Sequence, residues 1–146
     1  MSNYSVFDAG QWQNLEQHVF EYGPIKAPGK VFLSEKVDSS GCEVSLNRLE
    51  AGQSYPFLHR HNKHEEVFIA VSGRGDMQVD GEIIPFNEGT VIRIAPEGVR
   101  SIRSGAEEPL CFLCIQATAG SLSSRFIGDG ETVPGEVRWD GPVMAG

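Results

Sequence analysis

Long apolar stretches are absent from this chain of 146 residues. No run of 18 apolar residues occurs, so no segment is predicted to cross a membrane as a helix. The first ten residues, MSNYSVFDAG, also lack the basic patch and the apolar stretch of a signal peptide. These absences predict a cytoplasmic protein with no membrane partner.

Basic residues are also scarce. Twelve lysines and arginines stand against 20 acidic residues, which gives a net charge of -8. Affinity for DNA or RNA comes largely from lysine and arginine, so we predict no nucleic-acid partner. The hydrophobic fraction of 40% and the charged fraction of 22% are typical of one soluble globular domain.

Cysteine is rare, with only Cys42, Cys111 and Cys114 in the chain. An odd number of cysteines in a chain without a secretion signal predicts no disulfide framework. Cys111 and Cys114 have the CxxC spacing of redox and zinc motifs, but they lie in LCFLCIQ, which has the composition of a strand. Residues three apart on a strand point to opposite faces, so we interpret both cysteines as small buried apolar residues.

Glycine and proline, by contrast, are frequent and separate many short apolar runs. Runs rich in Val, Ile, Leu and Phe between turn residues predict an all-β sandwich or barrel. The sequence Asp80-Gly81 is a strong hairpin signal, because a type I′ turn needs positive φ. The predicted strands are KVFLSEK from Lys30, CEVSLNRLE from Cys42, EVFIAVSG from Glu66, GDMQVDG from Gly75, EIIPF, TVIRIA, VRSIRS and LCFLCIQA.

One stretch near the N-terminus has helical periodicity. Trp12, Leu15 and Val19 recur at helical spacing, and Asp8 precedes them as a candidate N-cap. The expected organisation is an N-terminal segment with this short helix at 1–29, a barrel at 30–120 and an extended C-terminal arm at 121–146. Trp139 is a candidate anchor for the arm.

Three of the four histidines fall within the sequence LHRHNKHEEVF. His59 and His61 are two residues apart, so on a strand both side chains leave the same face. We expect residues 62–65 to form a hairpin loop, with His64 and Glu65 in solvent, and Glu66 to begin the return strand opposite His61. A charged Glu66 inside a barrel is costly unless it is paired or bound to metal. Two imidazoles and a carboxylate suit a divalent transition metal: Mn, Fe, Ni or Zn.

The residues Gly52, His59, His61, Glu66 and Gly73 resemble the first cupin motif: a glycine, H-x-H, a glutamate shortly afterwards and then x6-G. The block from Val31 to Ala117 resembles one cupin domain. The resemblance implies a double-stranded β-helix, also called a jelly-roll barrel. It also implies that the two histidines and the glutamate are metal ligands inside that barrel.

The second cupin motif is incomplete. Family members usually have a glycine, then P-x-G, then a histidine two residues on; here Gly89 and Pro96-Glu97-Gly98 match, but no histidine follows His64. The fourth ligand position falls on Arg100 or Ser101, and an arginine is a permanent cation. Two alternatives follow. Either the three remaining ligands hold a metal with open positions, or the site is metal-free and Arg100 faces Glu66 or grips an anionic ligand.

The predicted function is that of a metal-dependent small-molecule enzyme, with Glu66 and Arg100 as catalytic residues and a small anionic metabolite as substrate. The chain is similar to small cupins described as sugar-phosphate or mannose-6-phosphate isomerase-like, which implies an isomerase. The alternatives are a non-catalytic ligand-binding cupin and a non-haem-iron dioxygenase. Exposed edge strands and the terminal segments predict a homodimer.

Overall fold

Ten strands build the fold in the computed structural model, which describes residues 2–141. The expected all-β jelly-roll architecture is confirmed, since only two short helical segments accompany the strands in this range. The strands are β1 (Val19–Tyr22), β2 (Ile25–Pro28), β3 (Lys30–Phe32), β4 (Glu43–Leu49), β5 (His64–Ser72), β6 (Arg74–Val79), β7 (Glu82–Asn87), β8 (Val91–Ile94), β9 (Arg100–Ser104) and β10 (Leu110–Thr118).

Two antiparallel sheets face each other across the core. One sheet has the strand order β3-β4-β10-β5-β8 and the other has the order β7-β6-β9. Side chains alternate along each strand, so Phe68 and Ala70 of β5 are buried while Val67 and Ile69 are only partly buried. Buried residues of both sheets, among them Met77 and Phe112, form one hydrophobic cluster. The cluster holds the two inner faces together.

The register of β10 places the polar residues next to this core. Phe112 pairs with Ala70, Cys114 with Phe68, and Gln116 with Glu66. The inward side chains therefore change from apolar to polar over four residues along β10, and the end of the barrel near Glu66 is where charged side chains turn inward.

The N-terminal helix is shorter and tighter than its periodicity predicts. A 3-10 helix spans Trp12–Gln17 and buries Leu15, but Val19 is 44% exposed and begins β1. Asp8 is not the N-cap: its side chain accepts a hydrogen bond from Gly10, and no side chain caps the helix. Pairing of β1 with β2 uses the backbone that a longer helix would need.

The predicted strand KVFLSEK also ends early. Strand β3 stops at Phe32, and residues Ser34–Val37 form one helical turn, α1. The carboxylate of Glu43 accepts hydrogen bonds from the backbone N–H groups of Leu33 and Ser34 at 3.1 and 2.9 Å. Glu43 lies on the neighbouring strand, and its carboxylate satisfies backbone N–H groups that have no partner within the helical turn. The early end of β3 depends on this tertiary contact, so the local sequence could not predict it.

Two other predictions concern the turn at Asp80-Gly81 and the C-terminal arm. Asp80 and Gly81 have φ values of 50° and 87° and join β6 to β7, as a type I′ hairpin requires.

Residues 121–141 contain no strand or helix, and residues 142–146 of the predicted arm lie outside the described range. Trp139 is 93% exposed, so it does not anchor the arm on its own chain. Within residues 2–141, no helix is long and apolar enough to span a bilayer.

Candidate metal and ligand site

The segment that carries His59 and His61 is held by the loop before β9 and by β9 itself. His59 and Arg100 exchange two backbone hydrogen bonds of 2.9 and 3.1 Å, and the N–H of His61 donates to the carbonyl of Pro96. The expected hairpin with Glu66 opposite His61 is therefore wrong. A backbone contact across some 40 residues of sequence, rather than a local turn, presents both imidazoles to the interior.

Glu66 reaches the same point from the opposite sheet. It lies on β5 between Ile94 of β8 and Gln116 of β10, and it is 4% exposed. Its position on the inward face agrees with the alternation expected from the sequence. The site is thus assembled from two sheets, which explains why its parts are far apart along the chain.

The Oε1 atom of Glu66 is the centre of the cluster. It lies 3.3 Å from Nε2 of His61 and 4.0 Å from Nε2 of His59. One ligand atom from each of the three residues can be chosen so that all lie within 4.8 Å of one another. The two imidazole planes are nearly perpendicular, at 84°, with their centroids 5.3 Å apart. The sequence therefore predicted the convergence of these side chains correctly, although it predicted the wrong backbone pairing.

Arg100 occupies the place where the second motif would supply a fourth ligand. Its Nε atom lies 3.3 Å from Oε1 of Glu66, and the residue is 1% exposed. Its two terminal nitrogens donate to the carbonyls of Pro96 and Ala95 at 3.4 and 3.3 Å. The guanidinium is therefore fixed by the loop and supplies a buried positive charge to the carboxylate.

Cys114 completes the contacts of Glu66 and was not predicted as a site residue. Its thiol donates a hydrogen bond of 2.9 Å to Oε2 of Glu66. Burial, followed by the nearby Glu66 charge, raises the pKa of this thiol, so Cys114 remains a donor. Cys111 lies on the other face of β10 near Arg48, as the strand interpretation of the CxxC motif predicts. Contact between Cys114 and Glu66 depends on the β5–β10 register, which has no local sequence signal.

The surroundings of His59 favour its neutral imidazole form. Burial lowers the pKa of His59, and the adjacent Arg100 adds to this effect, while Glu66 opposes it. Neutral imidazole is the form that binds metal ions.

The three side chains fit a divalent metal in a three-ligand arrangement. Within residues 2–141, Nε2 of His61 and Oε1 of Glu66 are buried and lack hydrogen-bond partners. Such atoms are costly inside a protein, and a cation between them would satisfy both. Two imidazoles and one carboxylate are donors that divalent transition metals accept. Arg100 cannot serve as a fourth metal ligand, because its guanidinium group offers no lone pair.

Other residues near the cluster have separate roles. His64 begins β5, and its Nδ1 lies 2.9 Å from Oε1 of Gln116, so it does not lie in a solvated turn. Glu65 pairs with Arg93 at 2.9 Å, and Arg93 is ion-paired as expected. The hydroxyl of Ser101 donates to the carbonyl of Tyr55 at 3.1 Å. None of these residues joins the three-residue group.

A cavity of about 680 Å³ opens above the cluster. Its volume is in the range of small-molecule sites. Sequence reasoning did not anticipate that the hairpin β1–β2 forms part of its wall, through Phe20 and Pro24–Pro28. The polar residues of the lining are His59, His61, Glu66, Arg100, Lys30, Lys26, Ser45, Gln53, Ser54, Ser101 and Gln116.

Together, the fold and the cluster define a jelly-roll barrel with an internal histidine–carboxylate site. Residues 45–116 match the family described as Cupin domain. A cupin protein from Bacteroides fragilis is similar over 92% of this chain and 100% of its own length, with 35% identity and a TM-score of 0.78. The chain therefore belongs to the cupin superfamily.

Two further similarities are narrower. An uncharacterized protein of Methanocaldococcus jannaschii is 34% identical over 61 residues, which is 42% of this chain and 49% of that relative. The matched region thus spans about half the length of that relative. A protein from Photorhabdus luminescens covers 78% of this chain and 88% of its own at 13% identity, with a TM-score of 0.61. That likeness shows the fold alone.

Proposed function

We propose that this cupin binds a divalent transition metal through His59, His61 and Glu66 and acts on a small anionic metabolite in the cavity above. One observation carries the proposal. Donor atoms of three ligating residues lie within 4.8 Å of one another at the base of the cavity, and within residues 2–141 Nε2 of His61 and Oε1 of Glu66 are buried without a hydrogen-bond partner. Mn, Fe, Ni and Zn are the candidate ions.

A metal at this site would supply Lewis acidity toward a carbonyl or hydroxyl oxygen of the ligand. Glu66 and Arg100 remain the proposed catalytic pair. The contacts of Arg100 are with Glu66 and two backbone carbonyls, so its first role in this proposal is to orient the carboxylate. Direct contact of Arg100 with an anionic substrate stays a prediction.

A non-catalytic ligand-binding cupin is the second candidate. The ion pair between Arg100 and Glu66 favours it, because the pair compensates part of the cost of burying the carboxylate without any metal. Sugar-phosphate isomerase activity stays a prediction that rests on resemblance alone. Dioxygenase activity becomes the better proposal if the bound metal is iron, since a three-ligand iron site leaves positions open for oxygen and substrate.

Metal analysis of untagged protein by mass spectrometry tests the proposal. We expect about one equivalent of metal per chain, because the donor atoms of three ligating residues converge on one point. His61→Ala removes a proposed ligand and should lower the bound metal by at least about tenfold. His64→Ala is the matched control, since His64 lies nearby but contacts Gln116 instead of the cluster. The control should retain the metal content of the wild type.

Two results would contradict metal binding at this site. One is negligible metal in the wild-type protein after purification from metal-supplemented cells. The other is an equal loss of metal in His61→Ala and His64→Ala. Either result would favour the ligand-binding candidate.

A further inference from the structure

Lys30 is one of three cations that line the cavity, with Lys26 and Arg100, and it lies apart from the histidine–glutamate cluster. It is on β3, whereas Glu66 is on β5, and strands β4 and β10 lie between them. At a strand spacing of about 4.8 Å, the two backbones are roughly 14 Å apart along the sheet. Both side chains line the same cavity. The cavity wall therefore carries a cation on a strand that two other strands separate from the strand of Glu66.

The ammonium group of Lys30 is held in place by a chain of hydrogen bonds that passes through the buried Asn47. It donates to Oδ1 of Asn47 at 2.7 Å. Asn47 is 1% exposed, and its amide nitrogen donates to the hydroxyl of Ser45 at 2.9 Å and to the carbonyl of Phe112 at 3.4 Å. Because the amide nitrogen is engaged, the carbonyl oxygen is directed toward Lys30.

Two aromatic rings flank the same ammonium group. Nζ of Lys30 lies 4.8 Å from the centroid of Phe32 and 6.0 Å from that of Tyr55. Ring faces and the Asn47 carbonyl oxygen both favour the charged form of the lysine. Burial lowers the pKa of Lys30 and opposes them, while the charge of Glu66 raises it.

The charge of Lys30 has no carboxylate partner among residues 2–141. Each of the ion pairs found in that range involves another cation, and Asn47 is the one hydrogen-bond acceptor of the ammonium. An ammonium group has three donors, so two remain for a ligand. Lys30 is half-buried and lines the cavity, so an anionic group of a ligand would satisfy its two free donors. Arg100 is less suited to this role, since it already faces Glu66.

Much of the cavity wall is aromatic. Six rings line the cavity, from Phe20, Phe32, Tyr55, Phe57, Phe68 and Phe112. Tyr55 and Phe57 stack with an interplanar angle of 1° and a centroid distance of 5.8 Å. Such a surface binds flat apolar groups well.

We infer that the cavity takes a small carboxylic acid with an aromatic body, whose carboxylate binds Lys30 and whose other end points toward His59, His61 and Glu66. The inference rests on the proposed function, because it assumes that the cavity is a ligand site. It narrows the anionic metabolite to an aryl carboxylate and assigns recognition of the anion to a lysine outside the cupin motif.

Titration calorimetry with phenylacetate as the probe tests the inference. Phenylacetamide is its neutral counterpart, and glucose 6-phosphate represents a sugar phosphate. We expect wild-type protein to bind phenylacetate about 10- to 100-fold more tightly than phenylacetamide, which is the size of a hydrogen bond to a charged group. Lys30→Met should remove this preference, and Lys30→Arg should keep most of it. Lys36→Met is the matched control, because Lys36 also lies over a ring, that of Phe7, but does not line the cavity.

Several outcomes would overturn the inference. These are no binding of phenylacetate by the wild type, equal affinity for the acid and the amide, an unchanged preference in Lys30→Met, or tighter binding of glucose 6-phosphate. The comparison of acid with amide in wild-type protein stands even if Lys30→Met fails to fold, and Lys30→Gln is a second neutral variant.

Metal content measured on the same samples separates the two proposals. If metal is absent but the preference for phenylacetate depends on Lys30, the inference holds and the metal proposal fails. If metal is present but the preference is absent, the inference fails and the metal proposal holds.

Discussion

Glu66 is the residue on which the cluster depends, because its carboxylate contacts four other side chains. Oε1 faces His59, His61 and Arg100, and Oε2 accepts the hydrogen bond from Cys114. A carboxylate that is 4% exposed would be strongly disfavoured without these partners. Arg100 depends on Glu66 in the same way, since it is 1% exposed and carries a permanent charge.

Replacing this carboxylate should therefore destabilise the fold. Glu66→Gln removes the negative charge and leaves the Arg100 guanidinium buried without a counter-charge. We expect the free energy of unfolding to fall by about 3–5 kcal/mol, as for other buried ion pairs that lose one partner. Urea denaturation in the presence of a chelator measures this loss without a contribution from metal.

Glu65→Gln is the control for that measurement, because it removes the adjacent carboxylate from its exposed pair with Arg93. A surface pair of this kind contributes about 0–1 kcal/mol. If both variants lost the same small amount, the contact between Glu66 and Arg100 would not contribute to stability as argued here.

Single residues also show how far the sequence predicts the site. His59, His61 and Glu66 were recognisable, because their spacing is short and metal-binding side chains are distinctive. Cys114 and Lys30 were not, since their places depend on which strands pair and in which register. Asn47 orients Lys30 across β3 and β4, and a buried asparagine has no sequence signature of that role.

At the scale of elements, the interiors of strands were predicted better than their ends. Apolar runs between turn residues located β5 and β10 to within two residues, because strands in the core carry mostly apolar side chains. The segment around Val19 was assigned to a helix, although pairing with residues 25–28 makes it a strand. Tertiary contacts decided the outcome there, as they do wherever local propensity is weak.

The turn from β5 to β6 gives a prediction at this scale. Gly73 has a φ of +87°, and a Cβ atom there would lie 2.0 Å from the carbonyl oxygen of Pro109. Gly81, in the turn from β6 to β7, has the same φ, but nothing lies within 4 Å of its Cβ position. Gly81→Ala should cost only the strain of a left-handed backbone, about 1–2 kcal/mol. Gly73→Ala should cost roughly 1–3 kcal/mol more, because backbone must move.

Urea denaturation of both variants measures the difference directly. Gly73 and Gly81 have the same φ, so backbone strain cancels in the difference between the two losses of stability. What remains is the cost of the steric clash at position 73. Equal losses of stability would mean that the backbone near Pro109 shifts freely, and the close approach of this turn to the start of β10 would then not be a constraint of the fold.

At the scale of the whole molecule, charge is distributed unevenly. The net charge is -8, but the cavity is lined by three cations: Lys26, the half-buried Lys30 and the buried Arg100. An anionic ligand therefore approaches a protein of like net charge and is attracted only close to the cavity. Such an arrangement favours small anions over large acidic partners such as nucleic acids.

The C-terminal segment, residues 121–141, is a second feature of the whole molecule, and many of its apolar side chains are exposed. Residues 121–141 have no strand or helix and expose six large apolar side chains by 70% or more: Leu122, Phe126, Ile127, Val133, Val137 and Trp139. Apolar surface gathered in one segment to this extent is typical of an interaction surface. We expect this segment to pack on a second copy of the chain in a homodimer.

Analytical ultracentrifugation of the full-length protein tests this expectation. The wild type should sediment as a dimer at micromolar concentration. The double variant Phe126→Ser, Ile127→Ser should shift toward monomer, because it removes two of the most exposed apolar side chains of the segment, at 100% and 87% exposure. Tyr4→Ser is the control, since Tyr4 is 78% exposed but lies at the other end of the chain. A wild-type protein that sediments as a monomer at every concentration would contradict the dimer. If instead the dimer persists unchanged in the double variant, Phe126 and Ile127 do not contribute to its interface.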